Sequence, residues 1–580
     1  MAYHCPMNPA QPALRHAPAA PPFRRELALG KTDLRTRLPV WPKRILMQSE
    51  GKRAPRHGER LLTSREGQSY VHFVGEHASL PPGGAILLDF GMEIHGSVRL
   101  VTPRGKPAPD TAAGDRGVYQ ARLRFGESVG AALGSPVNDH SVHDTLLDIP
   151  AMGSAESSPT GFRFLHLEVP ADAPELPLLA VHAVLIIRDL PWTGSFRSSD
   201  ERLNRIWEVG AWTVQLNMQE HLWDGIHRDR LVWMGDLNPE IRTVAAVFDD
   251  TEVVESSLDF VRDRTPGDGW MNTISTYSAW WVINLYEWHL ARGRTAYLES
   301  QRHALLPLLE RLRALVGPDG AENFPPMRFL DWPSHQDAPA VHAGLQGLLC
   351  LALRAGRQLC AWLGEPTAAE SCARSLAEAS AHRADAGTNK QAHALQVLSG
   401  LEDAAEIHLR VFAPEPERRL STFLGFYVLQ AMAEGGGHRS ALEAIRKYWG
   451  GMLDFGATSF WEDFDLEWTK NACRIDELPV PGKRDLHADF GAHCYVGLRH
   501  SLCHGWAGGP TAWLSERILG VRPTAPGFSR AILRPELGDL EWVEGTVPTP
   551  HGPIKIRVER GKDGGVLRAI EKPEEIAAEP

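Results

Sequence analysis

Short apolar or alternating segments dominate residues 35–195. AILLDFG, GSVRLVT, ARLRFGES, FRFLHLEVP and AVHAVLIIRDL each have the length of a strand and are punctuated by Gly, Pro and Asp. No long helical periodicity interrupts them, and the pattern predicts a β-sandwich. Near Ser198 the period changes. Ser198 with Glu201 offers a capping box, after which Leu203, Ile206, Trp207 and Val214 recur at helical spacing. Further helices are predicted over 275–292, 301–316, 341–363, 366–382, 420–434, 438–450 and 501–519, between loops rich in Gly, Pro, Trp and Asp. Consecutive helices without a repeat of fixed period argue for an α/α barrel of helical hairpins rather than a solenoid. Its loops would gather at one end around a cleft. After Gly520 the stretch ILRPELGDLEWVEGTVPTPHGPIKIRVER alternates again, as in a second, smaller sandwich, and the charged tail EKPEEIAAEP is expected to fray. The domain order is a Pro- and Ala-rich flexible arm (1–34), an N-terminal β-sandwich (35–195), an α/α-barrel catalytic domain (196–519) and a C-terminal β-sandwich (520–580).

Composition narrows the function. A formal net charge of -11 over 580 residues disfavours nucleic acid, because phosphate binding needs a basic surface. The seven cysteines (Cys5, Cys350, Cys360, Cys372, Cys473, Cys494 and Cys503) are odd in number and form no CxxC pair. A disulfide framework or zinc knuckle is not expected, and a reducing, cytoplasmic location is. The N-terminal residues hold no apolar run of signal-peptide length. The most apolar stretch, Leu176 to Ile187, is too short for a bilayer and is interrupted by His182, so no membrane is expected. Association between copies of the chain is left open.

Many of the eighteen tryptophans adjoin acidic residues, among them Trp223-Asp224, Asp331-Trp332, Trp461-Glu462 and Glu467-Trp468. Aromatic faces stack on the C–H faces of sugar rings, and carboxylates accept hydrogen bonds from hydroxyls. The alternative is that such rings are core anchors. HLWDGIHRDRLVWMGDLNPE (221–240) is the densest polar cluster; its Gly225, Gly235 and Pro239 read as a loop. In GATSFWEDFDLEW (456–468), the apolar flank of Trp461 and the like charge of Asp463 predict a raised pKa for Glu462. SLCHGWAGGPTAWLSERILG places His504 and Trp506 before a Gly-Gly-Pro break, and FLDWPSHQD carries Asp331, Trp332 and His335. Two Trp-rich acidic loops opening on one end of a barrel suit glycoside hydrolysis, which needs one carboxylic acid and one carboxylate. No GxSxG elbow, phosphate loop, dinucleotide GxGxxG or HExxH is present, and neither a cofactor nor a metal is called for.

These clusters resemble a known family. RDRLVWMGD is similar to the R-D-E-R-L-G-W-x-G-D signature of the bacterial α-L-rhamnosidases, six-hairpin glycosidases of glycoside hydrolase family seventy-eight. FWE and the long block from SLCHGW through PGF to VPTP.G look like that family's C-terminal half, and LLDFGMEIHGSVRL and GFRFLHLEV look like its upstream β-domain. The resemblance covers most of residues 80–560. It implies a six-hairpin barrel with flanking sandwiches and hydrolysis with inversion, releasing L-rhamnose; a hydrolase of another sugar on the same scaffold and a catalytically inactive carbohydrate-binding protein stay open as alternatives. Asp229 takes the general-acid position and Glu462 the general base. Trp233 and Asp236 would contact the sugar, with Trp332 and His504 at sugar-binding positions and Asp224 and Arg228 supplying further hydrogen bonds. Three departures stand out. Asp229 replaces the usual Glu, DGIHR is one residue short so that Arg228 and His227 compete for one position, and residues 463–500 form a longer insertion.

Overall fold

A computed structural model describes residues 33–63, 77–103, 117–134, 143–249, 251–492, 495–561 and 565–579. Apart from Asp33 and Leu34, the expected arm lies outside them. The first half is built on one large sheet. Strands Thr36–Val40, Ala180–Ile187, Ala85–Val101, Thr160–Glu168, Val118–Gly126 and Asp144–Pro150 lie side by side in that order, each antiparallel to its neighbours. Arg44–Gln48 and Ser154–Glu156 pair with opposite ends of Ala85–Val101. That strand is 17 residues long, and its register with Thr160–Glu168 shifts between Asp89 and Ile94. Such an irregularity lets a long strand bend. Leu88, Phe90, Val98, Phe125 and Phe162 are fully buried in the core on this sheet, together with Leu216, Ile226 and Cys503 from the helical half. The sheet therefore rests directly on the segments singled out above for their chemistry.

The helical half begins with Glu201–Asn217. Its cap is Asp200, whose carboxylate accepts from the amides of Arg202 and Leu203. The expected cap, Ser198, instead ends the strand Ser195–Ser198, where its amide and hydroxyl bond Asn204. Helices Ser275–Arg292, Ala338–Trp362, Pro366–Ala381 and His438–Asp454 lie close to where periodicity places them, whereas Thr295–Arg313 starts before the expected residue 301 and Gly425–Glu434 after the expected residue 420. Leu237–Val247, Val253–Arg264 and Lys390–Ser399 are additional. The single helix expected over 501–519 is instead a 3-10 turn at Gly505–Gly508, an α turn at Gly509–Trp513 and a π turn at Leu514–Ile518. The Gly-Gly-Pro sequence explains the break, because Pro510 has no amide hydrogen to donate to the preceding turn. The ring closes as Gly509–Trp513 packs against both Glu201–Asn217 and Leu237–Val247.

The C-terminal region holds two sheets. Trp542–Val547 pairs with Ile554–Arg560 on one side and with Ser195–Ser198 on the other, so a strand lying before the helices completes the sheet that follows them. Arg530–Leu533 lies between Val521–Pro523 and Ala577–Glu579. The tail thus ends in a parallel strand rather than fraying, because its backbone finds partners along Arg530–Ile532.

Candidate active site

One cavity of about 250 Å³ is lined by Asp224, Arg228, Asp229, Trp233, Asp236, Trp332, Glu462 and His504. These are the eight site residues that the family resemblance nominates, and they come from four separate segments: 224–236, Trp332, Glu462 and His504. Ile274, Tyr277, Met327, Phe329, Tyr495, Arg499 and Trp506 complete the wall.

The first loop is tied back on itself. Asp224 accepts from the amides of Gly225 and Leu231 at 2.8 and 2.9 Å, which closes the segment that contains Arg228 and Asp229. Asp229 and Arg230 both adopt the left-handed region (φ 59° and 54°). Two successive non-glycine residues there are costly, and such turns persist where the surroundings hold a side chain in a required direction. Of the two residues competing for one position, Arg228 faces the cavity. His227 turns away, with Nδ1 2.7 Å from the carbonyl oxygen of Gly161 in the N-terminal sheet. The loop ends earlier than expected, because residues 237–240 already form the first turn of Leu237–Val247 and Asp236 is its N-cap. Gly235 matters here: a Cβ would lie 2.6 Å from the Tyr277 ring, whose hydroxyl donates to Asp236 at 3.3 Å.

Glu462 is held from several directions. Its main-chain amide donates to the carbonyl of Ser501 at 2.9 Å, and its carboxylate accepts from the Ser501 amide at 3.0 Å. The indole of Trp506 donates to its carbonyl oxygen at 3.0 Å. The Arg228 guanidinium bonds Glu462 through one nitrogen and Asp229 through another, the latter at 2.5 Å. One side chain therefore spans the two carboxylates. His504 lies 3.1 Å from Asp236 and 3.6 Å from Glu462.

Electrostatics separates these acids. Burial alone would push Glu462 up, but Arg228 and His504 outweigh it and hold the carboxyl below its ordinary value. The upward shift expected from Trp461 and Asp463 is thus reversed by an arginine 234 residues distant in sequence. Burial pushes Asp224 up to about 8; Asp236 and Asp229 add to the effect and His504 opposes it. Burial also raises Asp236, against the hydrogen bond from His504. Burial disfavours the charged form of His504, yet Glu462 and Asp236 keep its pKa above the usual imidazole value. Near neutrality the site thus holds an ionised Glu462 beside an arginine and a histidine whose charged form is favoured by its neighbours, with Asp224 largely neutral.

Trp332 packs edge-on against Phe329 and Tyr495, and its neighbour Asp331 accepts from the Ser421 hydroxyl at 2.5 Å. His335 lies against the Trp332 ring but does not line the cavity. Tyr495 and Arg499 come from the insertion already noted at 463–500. Met327 and Ile274 carry no signal that would single them out in the sequence.

Residues 191–293 match the family model described as the bacterial alpha-L-rhamnosidase 6 hairpin glycosidase domain, and residues 520–579 match the bacterial alpha-L-rhamnosidase C-terminal domain. An alpha-L-rhamnosidase of Alteromonas sp. (strain LOR) is 25% identical over 535 residues, covering 83% of this chain and 54% of the relative. One from Streptomyces avermitilis is 23% identical over 541 residues, covering 86% and 48%. The chain spans about half the length of these curated relatives. Among solved structures, the family seventy-eight rhamnosidase of Bacillus sp. GL1 superposes with a TM-score of 0.69 at 22% identity, over 90% of this chain and 55% of its own. The Klebsiella oxytoca rhamnosidase with rhamnose bound gives 0.65 at 20% identity, over 84% and 96%. Both domain models are matched in order, and the chain shares its fold with these rhamnosidase structures over most of its length.

Proposed function

We propose that this chain is an inverting α-L-rhamnosidase, with Glu462 as general base and Asp229 as general acid. The observation that carries the reading is the single guanidinium of Arg228 bonded to both carboxylates across one sugar-sized cavity. Glu462 is suited to accept a proton from water because Arg228 and His504 keep it ionised. The Asp229 side chain is 23% exposed against 2% for Glu462, which suits a donor on the side from which a leaving group departs. Asp224, Asp236 and His504 offer donors and acceptors to ring hydroxyls. Ile274, Phe329, Trp332 and Trp506 form an apolar wall against which the methyl group of a 6-deoxy sugar can rest. The similarity to alpha-L-rhamnosidases of Alteromonas and Streptomyces, and to the Klebsiella oxytoca rhamnosidase with rhamnose bound, supports this sugar.

The five described cysteines are buried and unbridged, which supports a cytoplasmic location. Among the described residues no helix is long and apolar enough to cross a membrane.

A panel of aryl glycosides, with NMR of the first sugar anomer released, tests the reading. Release of β-L-rhamnose from an α-L-rhamnoside is expected. If the α anomer comes first, inversion is wrong; if another sugar is released in preference, the substrate is wrong.

A further inference from the structure

The N-terminal sheet reaches the catalytic pocket from behind. Glu127 follows the strand Val118–Gly126, is 1% exposed, and accepts from the main-chain amide of Leu502 at 2.9 Å. The amide one residue earlier, that of Ser501, donates to the Glu462 carboxylate at 3.0 Å. Two consecutive amides thus serve two carboxylates. One carboxylate lines the cavity and the other is buried behind it. The next residue of the sheet domain continues the contact. The Ser128 hydroxyl donates to Nδ1 of His487 at 2.8 Å, and Nε2 of His487 donates to the carbonyl oxygen of His500 at 2.7 Å. Both sides of the 500–502 segment are therefore fixed by Glu127 and Ser128.

We propose that Glu127 is a positioning residue for Glu462: by fixing the Leu502 amide, it aims the adjoining Ser501 amide at the base. The inference rests on Glu462 acting as the base. Hydrogen bonding to the charged form of a carboxylate favours that form, so a misdirected Ser501 amide makes Glu462 harder to ionise. The charged and titratable groups facing Glu462 include Arg228, His504, His500, Asp236, Asp463 and Glu127 itself. Burial pushes Glu127 up to about 8, opposed by the Leu502 amide and reinforced by Glu462. Near neutrality its contribution is thus largely that of a hydrogen-bond acceptor, which a glutamine can reproduce.

The test compares Glu127→Gln, Glu127→Ala and Glu127→Asp in the full chain, with Glu462→Gln alongside and 4-nitrophenyl α-L-rhamnoside as substrate. The alanine and aspartate variants lose the acceptor or its reach. Each is expected to lose about tenfold or more in kcat while KM stays within about threefold, with the acid limb of kcat/KM moved to higher pH. Glu127→Gln is expected to stay within about threefold of the parent in kcat. A glutamine variant as slow as alanine overturns the proposal, as does an alanine or aspartate variant with parental kcat and an unmoved acid limb. Should alanine fail to fold, the glutamine–aspartate pair decides. Full activity in Glu462→Gln instead removes the base assignment, which distinguishes that failure from a failure of the Glu127 inference alone.

Discussion

Replacing Arg228 by Met keeps an unbranched side chain of similar reach and removes the charge that joins the two carboxylates. The Arg228 side chain is 3% exposed, and that of its partner Glu462 is 2% exposed. Removing one member of a buried pair costs about 3–5 kcal/mol, because the remaining charge is left uncompensated. Asp229, at 23% exposure, adds less, since water screens it. The sign of the pH dependence follows from Glu462. In the parent its pKa lies below the ordinary carboxylate value, so its pairing stabilises the fold above about pH 4.3 and that contribution is lost as pH falls through the lowered value. In Arg228→Met, burial is opposed by His504, His500 and the Ser501 amide, without the guanidinium that opposes it most. The folded-state pKa then rises above the unfolded one, and the fold is penalised wherever Glu462 must ionise. Apparent melting temperatures of parent and variant, measured from pH 4 to 8, should differ most near neutrality and converge toward pH 4. The acid limb of kcat/KM should move up by about one unit or more, equivalent to ~1.4 kcal/mol per unit. A melting difference that is constant across this range, or an unmoved acid limb, would refute the argument that Arg228 sets the ionisation of Glu462.

Asp229→Asn should slow hydrolysis of rhamnosides with poor leaving groups by about 10²–10⁴-fold and activated aryl rhamnosides far less, since a good leaving group hardly needs a proton. Equal losses on both would remove Asp229 from the acid role. Glu462→Gln should nearly abolish turnover while calorimetry still detects rhamnose binding; normal turnover would assign the base elsewhere. A Cβ at Gly161 would lie 2.7 Å from the His227 amide nitrogen, so Gly161→Ala must displace either the sheet or the acid-bearing loop. Overpacking of this kind costs about 1–3 kcal/mol, and a lower melting temperature together with reduced kcat is expected; unchanged values for both would show that the contact is slack.

How far the chain could be read from its sequence depended on where each element finds its partners. Ser275–Arg292 was legible at its observed ends, because a long, densely apolar stretch stops at Gly293, which takes the left-handed conformation that closes a helix. Leu237–Val247 was hidden, because its first turn carries Asn238, Pro239 and Glu240 beside Asp236 and reads as a polar loop. Local spacing brought out Asp229, Trp233 and Asp236, which share one short loop. Tyr277, Tyr495 and Arg499 reach the cavity only through the arrangement of distant loops, and no local pattern records that. The electrostatics failed for the same reason. Trp461 and Asp463 adjoin Glu462 in sequence and point to a raised pKa, whereas the guanidinium that reverses the sign is supplied from another loop.

The same distinction bears on the N-terminal sheet. Read alone, its strands form a separate β unit joined to a catalytic barrel. In the structure the Gly161 carbonyl accepts from His227 in the Asp229 loop, and Glu127 holds Leu502 beside Glu462, across 66 and 375 residues of sequence respectively. Both halves of the proposed acid–base pair thus lean on one sheet. A sheet is a stiff support, because its hydrogen-bond ladder and packed core resist small displacements that a loop alone would absorb. If the spacing of Asp229 and Glu462 sets the chemistry, the sheet belongs to the catalytic unit, and substitutions at its contacts with these two loops should alter kcat before they alter sugar binding.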